Sequence, residues 1–301
     1  MDTAVDTRAG TPLPEWAAWS LLALGIAAVS VSAILIRYAD AAGPLAISFW
    51  RCALGALVLA PFARWNRRGL TRSNLTLSVI AGVFLAVHFA TWISSVNLTT
   101  IAVSVLLVST TPIWTALTMW LVFRERLPLP GWVGIALTLA GAALIGGGDF
   151  EGASASGNIL ALIGGATVGG YLLLGAHVRR DLGIVEYAVI AYAASAVLLL
   201  PVCVVAGEKL WGYDAQTWWA IAGLVAGPQL LGHTVINTIL GSIDTTTIAV
   251  TIMAEPIVAT ALAYLLFDEV PSVLIYPGGL LVLLGIYLVT TVRRVPTVPL
   301  E

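Results

Sequence analysis

Glu255 falls near the middle of a long apolar run and directly precedes Pro256. A carboxylate at that depth must be neutral, paired or facing water, since an unpaired charge there costs on the order of 3 kcal/mol on insertion scales. Such a group can bind a substrate ammonium or accept a proton for coupling. Protonated, it can instead bond across helices or to carbonyls that the proline leaves free. Arg51, next to Trp50 in another apolar run, either snorkels outward or meets a substrate carboxylate. Glu186 and His177 lie close to run ends and read as solvated.

The neutral polar residues fall into stripes. Gln229, His233 and Asn237 recur at four-residue spacing, which puts them on one face of an α-helix. His88, Trp92 and Ser95 stack likewise, as do Ser104, Thr111, Thr115 and Thr118. These faces are expected to line an interior cavity, although hydroxyls and amides also bind membrane helices to one another. Trp92 and Trp114 lie well inside their runs, where an indole N–H wants a partner, so each is a candidate for the cavity wall or for helix packing. Tyr171 stands among Gly164, Gly165, Gly169 and Gly170, small residues that allow close packing or room for a substrate. Pro112 and Pro256 each remove a backbone hydrogen bond to the residue four earlier, Val108 and Ile252, which makes them hinges or static kinks.

Several chemistries drop out. The three histidines and two cysteines are too scattered for a metal motif, and Cys52 and Cys203 each read as a small buried hydrophobe. No cofactor is expected. The net charge of −2 offers no basic surface for nucleic acid. There is no Gly-x4-Gly-Lys-Ser/Thr loop, so no ATPase activity or ATPase subunit is expected. An intramembrane enzyme built on His88, His233 and Glu255 is the rival class, but no His-Glu-x2-His motif supports it, and the expectation is no enzyme.

These residues must be positioned by membrane helices. Of the 301 residues 59% are hydrophobic and 10% charged, with a mean hydropathy of +0.97, where soluble domains carry about 25% charge. Ten apolar runs cover roughly 17–36, 45–63, 75–96, 101–122, 131–147, 157–178, 184–206, 217–239, 246–267 and 272–292. Each is about as long as a spanning helix needs to be. Connections as short as residues 97–100 make neighbours antiparallel. The polar stretch from Met1 to Glu15 lacks a basic cluster, and the run after it is as long as a true span, so it does not read as a cleaved signal peptide. Eleven of the fourteen basic residues fall on one side if the N-terminus is cytoplasmic, including Arg64, Arg72, Arg124, Arg179 and Arg180. The other side holds Arg37 and Lys209. Both termini are therefore expected in the cytoplasm. Tryptophans near run ends, such as Trp16, Trp65, Trp211 and Trp219, read as interfacial belts.

The halves of the chain repeat. Pro112, Glu125, Gly134 and Gly141 recur 144 residues later as Pro256, Glu269, Gly278 and Gly285, with Phe123 matching Phe267. Ala81-Gly82 followed by His88 recurs 145 residues later as Ala226-Gly227 followed by His233. Five helices per repeat is an odd number, so the second repeat enters the membrane from the opposite side. The expected fold is all-α: ten transmembrane helices as two inverted five-helix repeats around a central cavity. The first repeat covers 17–147 and the second 157–292, with cytoplasmic tails at 1–16 and 293–301. Secondary transporters are commonly built this way, with the site near the midplane at the repeat interface.

The doubled pattern, Pro112 to Glu125 with Gly134 and Gly141 beyond it and Glu255-Pro256 to Glu269 with Gly278 and Gly285, resembles the drug/metabolite transporter superfamily, in particular its EamA-type ten-helix exporters. Within it the chain looks similar to bacterial aromatic amino acid exporters of the inner membrane. The resemblance implies a multi-pass inner-membrane protein whose partners are the lipid bilayer and a small amphiphilic metabolite, an aromatic or other apolar amino acid. It also implies a small residue where Arg124 stands. The alternative cargo is another metabolite or a cationic drug, proton-coupled through Glu255.

Overall fold

The computed structural model describes residues 13–65, 69–99, 101–124, 127–146, 154–240, 242–255, 257–258, 261–262, 265 and 273–291. Glu125, Pro256, Phe267, Glu269 and both tail ends lie outside them. The described chain is helical throughout and forms an all-α, multi-pass membrane fold.

The first half comprises α1 (Glu15–Ser30), α2 (Ser32–Tyr38), α3 (Pro44–Leu59), α4 (Arg72–Leu98), α5 (Ile101–Val108), α6 (Thr111–Phe123) and α7 (Leu129–Gly146). The second comprises α8 (Ala155–Val178), α9 (Ile184–Val205), α10 (Ala215–Leu224), a π-helical segment (Val225–Thr234), α11 (Val235–Ile239), α12 (Thr245–Ile252) and α13 (Ile275–Thr291). Among the described residues six stretches are long and apolar enough to cross a membrane: Glu15–Tyr38, Pro44–Phe62, Arg72–Leu98, Ala155–Val178, Ile184–Val205 and Ala215–Ile239.

Helix starts follow local chemistry. The Thr71 hydroxyl accepts from Asn74 N, and the Asp214 and Asp244 carboxylates accept from Thr217 N and Thr247 N, each satisfying an orphan N–H of the first turn. That backbone bond holds the exposed Asp214 carboxyl below the usual carboxylate range. At the end of α6, Arg124 takes a left-handed conformation, φ 57°. A side chain is strained there, which is the physical reason a small residue suits the position.

The sequence predicts one continuous helix over 101–122, but the structure divides it. A turn at Ser109-Thr110 separates α5 from α6, and Pro112 stands in the first turn of α6 rather than inside a helix. There its missing N–H is no loss. A turn at Met253-Ala254 follows α12 in the same way, immediately before Glu255. Each break carries the equivalent hydrogen bond: Ile113 N donates to Thr110 O at 2.9 Å and Ile257 N to Ala254 O at 3.1 Å. Two further irregularities come from Val31, which interrupts α1 and α2, and from the π segment, where Pro228 cannot donate to the ladder.

Helices α7 and α13 cross with their glycines in contact. A Cβ at Gly134 would stand 2.8 Å from Gly285 O, and one at Gly141 would overlap Gly278 O. Elsewhere α4 packs on α8, α3 on α9, and α1 on the π segment. At one end of the bundle Glu208 accepts from Ala46 N at 2.7 Å and Trp50 Nε1 donates to Leu210 O at 2.9 Å. At the other, Glu186 accepts from Arg64 N at 2.5 Å. Glu186 is therefore buried and bonded, not solvated, because α9 begins against the end of α3. His177 is exposed at the end of α8.

Candidate functional site

The four irregularities meet at one cavity of about 80 Å³. Val29 and Ser32 flank the interruption at Val31; Ser109 and Thr111 come from the first break, Met253 and Glu255 from the second, and His233 from the π segment. Non-helical backbone at membrane depth is tolerated where it lines a cavity or is buried in protein. The volume admits about five waters, at roughly 15 Å³ each. It is well below the several hundred Å³ typical of small-molecule pockets.

Aromatic rings close one side. His88 and Trp92, one turn apart on α4, stack with centroids 5.8 Å apart and planes 7° from parallel. His88 Nδ1 pairs with Gly164 O at 2.9 Å, close to where α4 and α8 pack through glycine. His233 faces His88 at 6.2 Å and meets Phe89 edge-on at 5.2 Å. Trp92 is 5% exposed, and its Nε1 has no hydrogen-bond partner among the described residues. Trp92 thus lines the cavity while its indole N–H is buried and unpaired.

Thr111 and Glu255 occupy equivalent places, 144 residues apart and directly before the prolines. Thr111 Oγ1 donates to Val108 O at 2.8 Å and to Gly165 O at 3.0 Å. The carbonyl that Pro112 leaves free is thereby satisfied. Glu255, 9% exposed on the cavity wall, has no bonded partner among the described residues.

Arg51, Gln229, Tyr171 and Asn237 do not line the cavity; they form a buried polar layer behind it. Arg51 Nε donates to Gln229 Oε1 at 3.0 Å, and its guanidinium lies 3.8 Å over the Phe89 ring. Asn237 Nδ2 donates to the Tyr171 hydroxyl, and Tyr171 stacks on Tyr187 at 6.1 Å. Arg51 therefore does not snorkel. The stripe Gln229, His233, Asn237 splits because the wider π turn rotates its members apart: His233 reaches the cavity, Gln229 turns to α3 and Asn237 to α8.

Trp114 faces outward, 37% exposed, with Nε1 donating to Thr110 Oγ1 at 3.1 Å. Pro112 is buried beside the first break, and Pro256 lies outside the described residues. Phe89 and Tyr192, which fall outside the polar stripes, are both fully buried in the polar layer. Tyr192 carried a usable signal, a hydroxyl inside an apolar run that needs a partner; it pairs with Thr234 Oγ1 at 2.9 Å.

Comparison with known proteins agrees with this architecture. A family profile described as "EamA-like transporter family" matches twice, over residues 16–147 and 155–291. An uncharacterized transporter of Archaeoglobus fulgidus is 24% identical over 256 residues, 82% of this chain and 88% of that protein. The uncharacterized transporter YwfM of Bacillus subtilis is 24% identical over 271 residues, 85% of this chain and 87% of that one. A solved crystal structure has the same fold, with a TM-score of 0.76 at 19% identity, covering 92% of this chain and 97% of that chain.

Proposed function

The chain belongs to the EamA-like transporter family, and on that premise we propose that it exports an amino acid with an aromatic or apolar side chain by alternating access. Membership makes it a secondary transporter of small metabolites across a membrane and not an enzyme. The cargo, the direction and the coupling are our reading.

In this reading ten helices form two inverted five-helix repeats, 17–147 and 157–292, in a bacterial inner membrane. Support comes from the reciprocal crossing in which Gly134 meets Gly285 and Gly141 meets Gly278. Both termini are cytoplasmic, since the end of the bundle with Arg64, Arg72, Arg179 and Arg180 is the more basic one.

The observation that carries the proposal is that both helix breaks open onto one cavity, with Thr111 and Glu255 both on its wall. His88 and Trp92 offer aromatic faces to the cargo's side chain, and Glu255 pairs with its ammonium. The cavity is smaller than such a cargo, so loading requires the walls to part. The turns at the two breaks interrupt the helical ladder, and Pro112 and Pro256 act as hinges there.

A second reading, export of a cationic metabolite or drug in exchange for a proton on Glu255, is favoured by that carboxyl's lack of a bonded partner among the described residues. Proteoliposomes separate the two. Uptake and counterflow of phenylalanine, tryptophan and leucine, with cationic dyes in parallel and with or without a pH gradient, should give saturable amino acid flux. Flux of the cations alone, dependent on the gradient, would replace the first reading by the second.

A further inference from the structure

Arg51 is 0% exposed, and it is a permanent cation inside a membrane-spanning helix. Among the described residues only its Nε finds an acceptor, Gln229 Oε1 at 3.0 Å. Nη1, Nη2 and the neighbouring Gln229 Nε2 are all buried without a hydrogen-bond partner among the described residues. The described residues offer Arg51 no ion pair, only the Phe89 face at 3.8 Å. A buried guanidinium is ordinarily met by a carboxylate or by several carbonyls, because leaving it unpaired is costly. Here three donor nitrogens from two side chains stand together, and a planar fork of this kind matches a carboxylate.

We infer that Arg51 and Gln229 form a recessed carboxylate-binding subsite that the cargo's acid group enters when Phe89 and His233 part. Phe89 contacts both the guanidinium and His233, and His233 lies on the cavity wall. Gln229 and His233 both belong to the π segment. A return of that segment to α geometry displaces the ring on the cavity wall and the amide on Arg51 together. The inference deepens the proposed function and rests on it for the cavity: the cargo must carry a carboxylate, and an amine alone does not suffice.

The test uses the full-length protein in nanodiscs and three probes on one skeleton: phenylalanine, 3-phenylpropionate, which lacks the ammonium, and phenethylamine, which lacks the carboxylate. Titration calorimetry on the wild type should find both carboxylates binding at least tenfold more tightly than the amine. Gln229→Glu supplies Arg51 with an internal carboxylate, so this variant should unfold at a higher temperature yet bind both carboxylates at least tenfold more weakly. Arg51→Gln should lose the carboxylate preference by a similar factor. Carboxylate binding unchanged in a folded Gln229→Glu variant overturns the subsite, and so does a wild type that fails to bind 3-phenylpropionate. If 3-phenylpropionate binds through Arg51 while phenylalanine is not transported, the subsite stands and only the amino acid reading of the cargo falls.

Discussion

Among single residues, Glu255 separates coupled from facilitated transport, because it is an acidic group on the cavity wall and Thr111, its equivalent, is neutral. If it pairs with a substrate ammonium, Glu255→Gln keeps the shape and loses the charge. Phenylalanine binding should then weaken about tenfold, or about 1.4 kcal/mol, with thermal stability little changed. Under proton coupling the same variant would keep binding and exchange but lose accumulation driven by a pH gradient. Trp92→Phe tests the indole separately. It retains the ring beside His88 and removes the unpartnered Nε1, so it should cost about two- to tenfold in affinity if that donor meets the cargo, given about 0.5–1.5 kcal/mol for one hydrogen bond. Unchanged affinity would make Trp92 a packing residue. His88, Trp92 and His233, marked in the sequence by helical spacing, and Glu255, marked by its depth in an apolar run, stand on the cavity wall. The sequence did not disclose that Gln229 turns to Arg51, because four-residue spacing marks a common face only where the helix keeps α pitch.

Among elements, the breaks and the glycine crossing carry the account. Pro112 was legible as a helix perturbation, but its position in the first turn of α6 depends on the Ser109-Thr110 turn, which nothing in the apolar pattern announces. Pro112→Ala restores the donor that can reach Val108 O and join α5 to α6. If the break is a moving hinge, turnover should fall about tenfold, close to 1.4 kcal/mol in the barrier, with affinity retained. Turnover that does not change makes it a fixed bend. The α7–α13 crossing predicts a contrast between two glycines. Gly141→Ala places a methyl against Gly278 O and 2.8 Å from Val282 N, so it should destabilise by about 1–3 kcal/mol in reversible unfolding. Among the described residues a methyl at Gly279 meets nothing closer than Ile257 Cδ1 at 3.8 Å, so Gly279→Ala should be neutral or stabilising by up to about 1 kcal/mol. Equal losses at both would mean the crossing is not tight.

For the molecule as a whole, long apolar helices were legible because a bilayer demands them, and in the sequence repeat Pro112 marks a backbone break while Gly134, Gly141, Gly278 and Gly285 mark a close crossing. The packing between halves was not legible, since apolar faces look alike in sequence and Trp114 resembled Trp92 until the fold turned it outward. The central claim is that the cavity between the two breaks is the cargo's path and opens alternately to each side. It is tested most directly by Ser109→Cys in a Cys52→Ala, Cys203→Ala background, with a membrane-impermeant thiol reagent added from either face of sealed vesicles. Ser109 lines the cavity, whereas Leu231 is exposed on the outer surface of the bundle, so Leu231→Cys is the control. Ser109→Cys should be labelled from both faces, phenylalanine should suppress labelling from both, and Leu231→Cys should stay unlabelled. Labelling from one face only, or labelling that the cargo leaves unaffected, would contradict the claim.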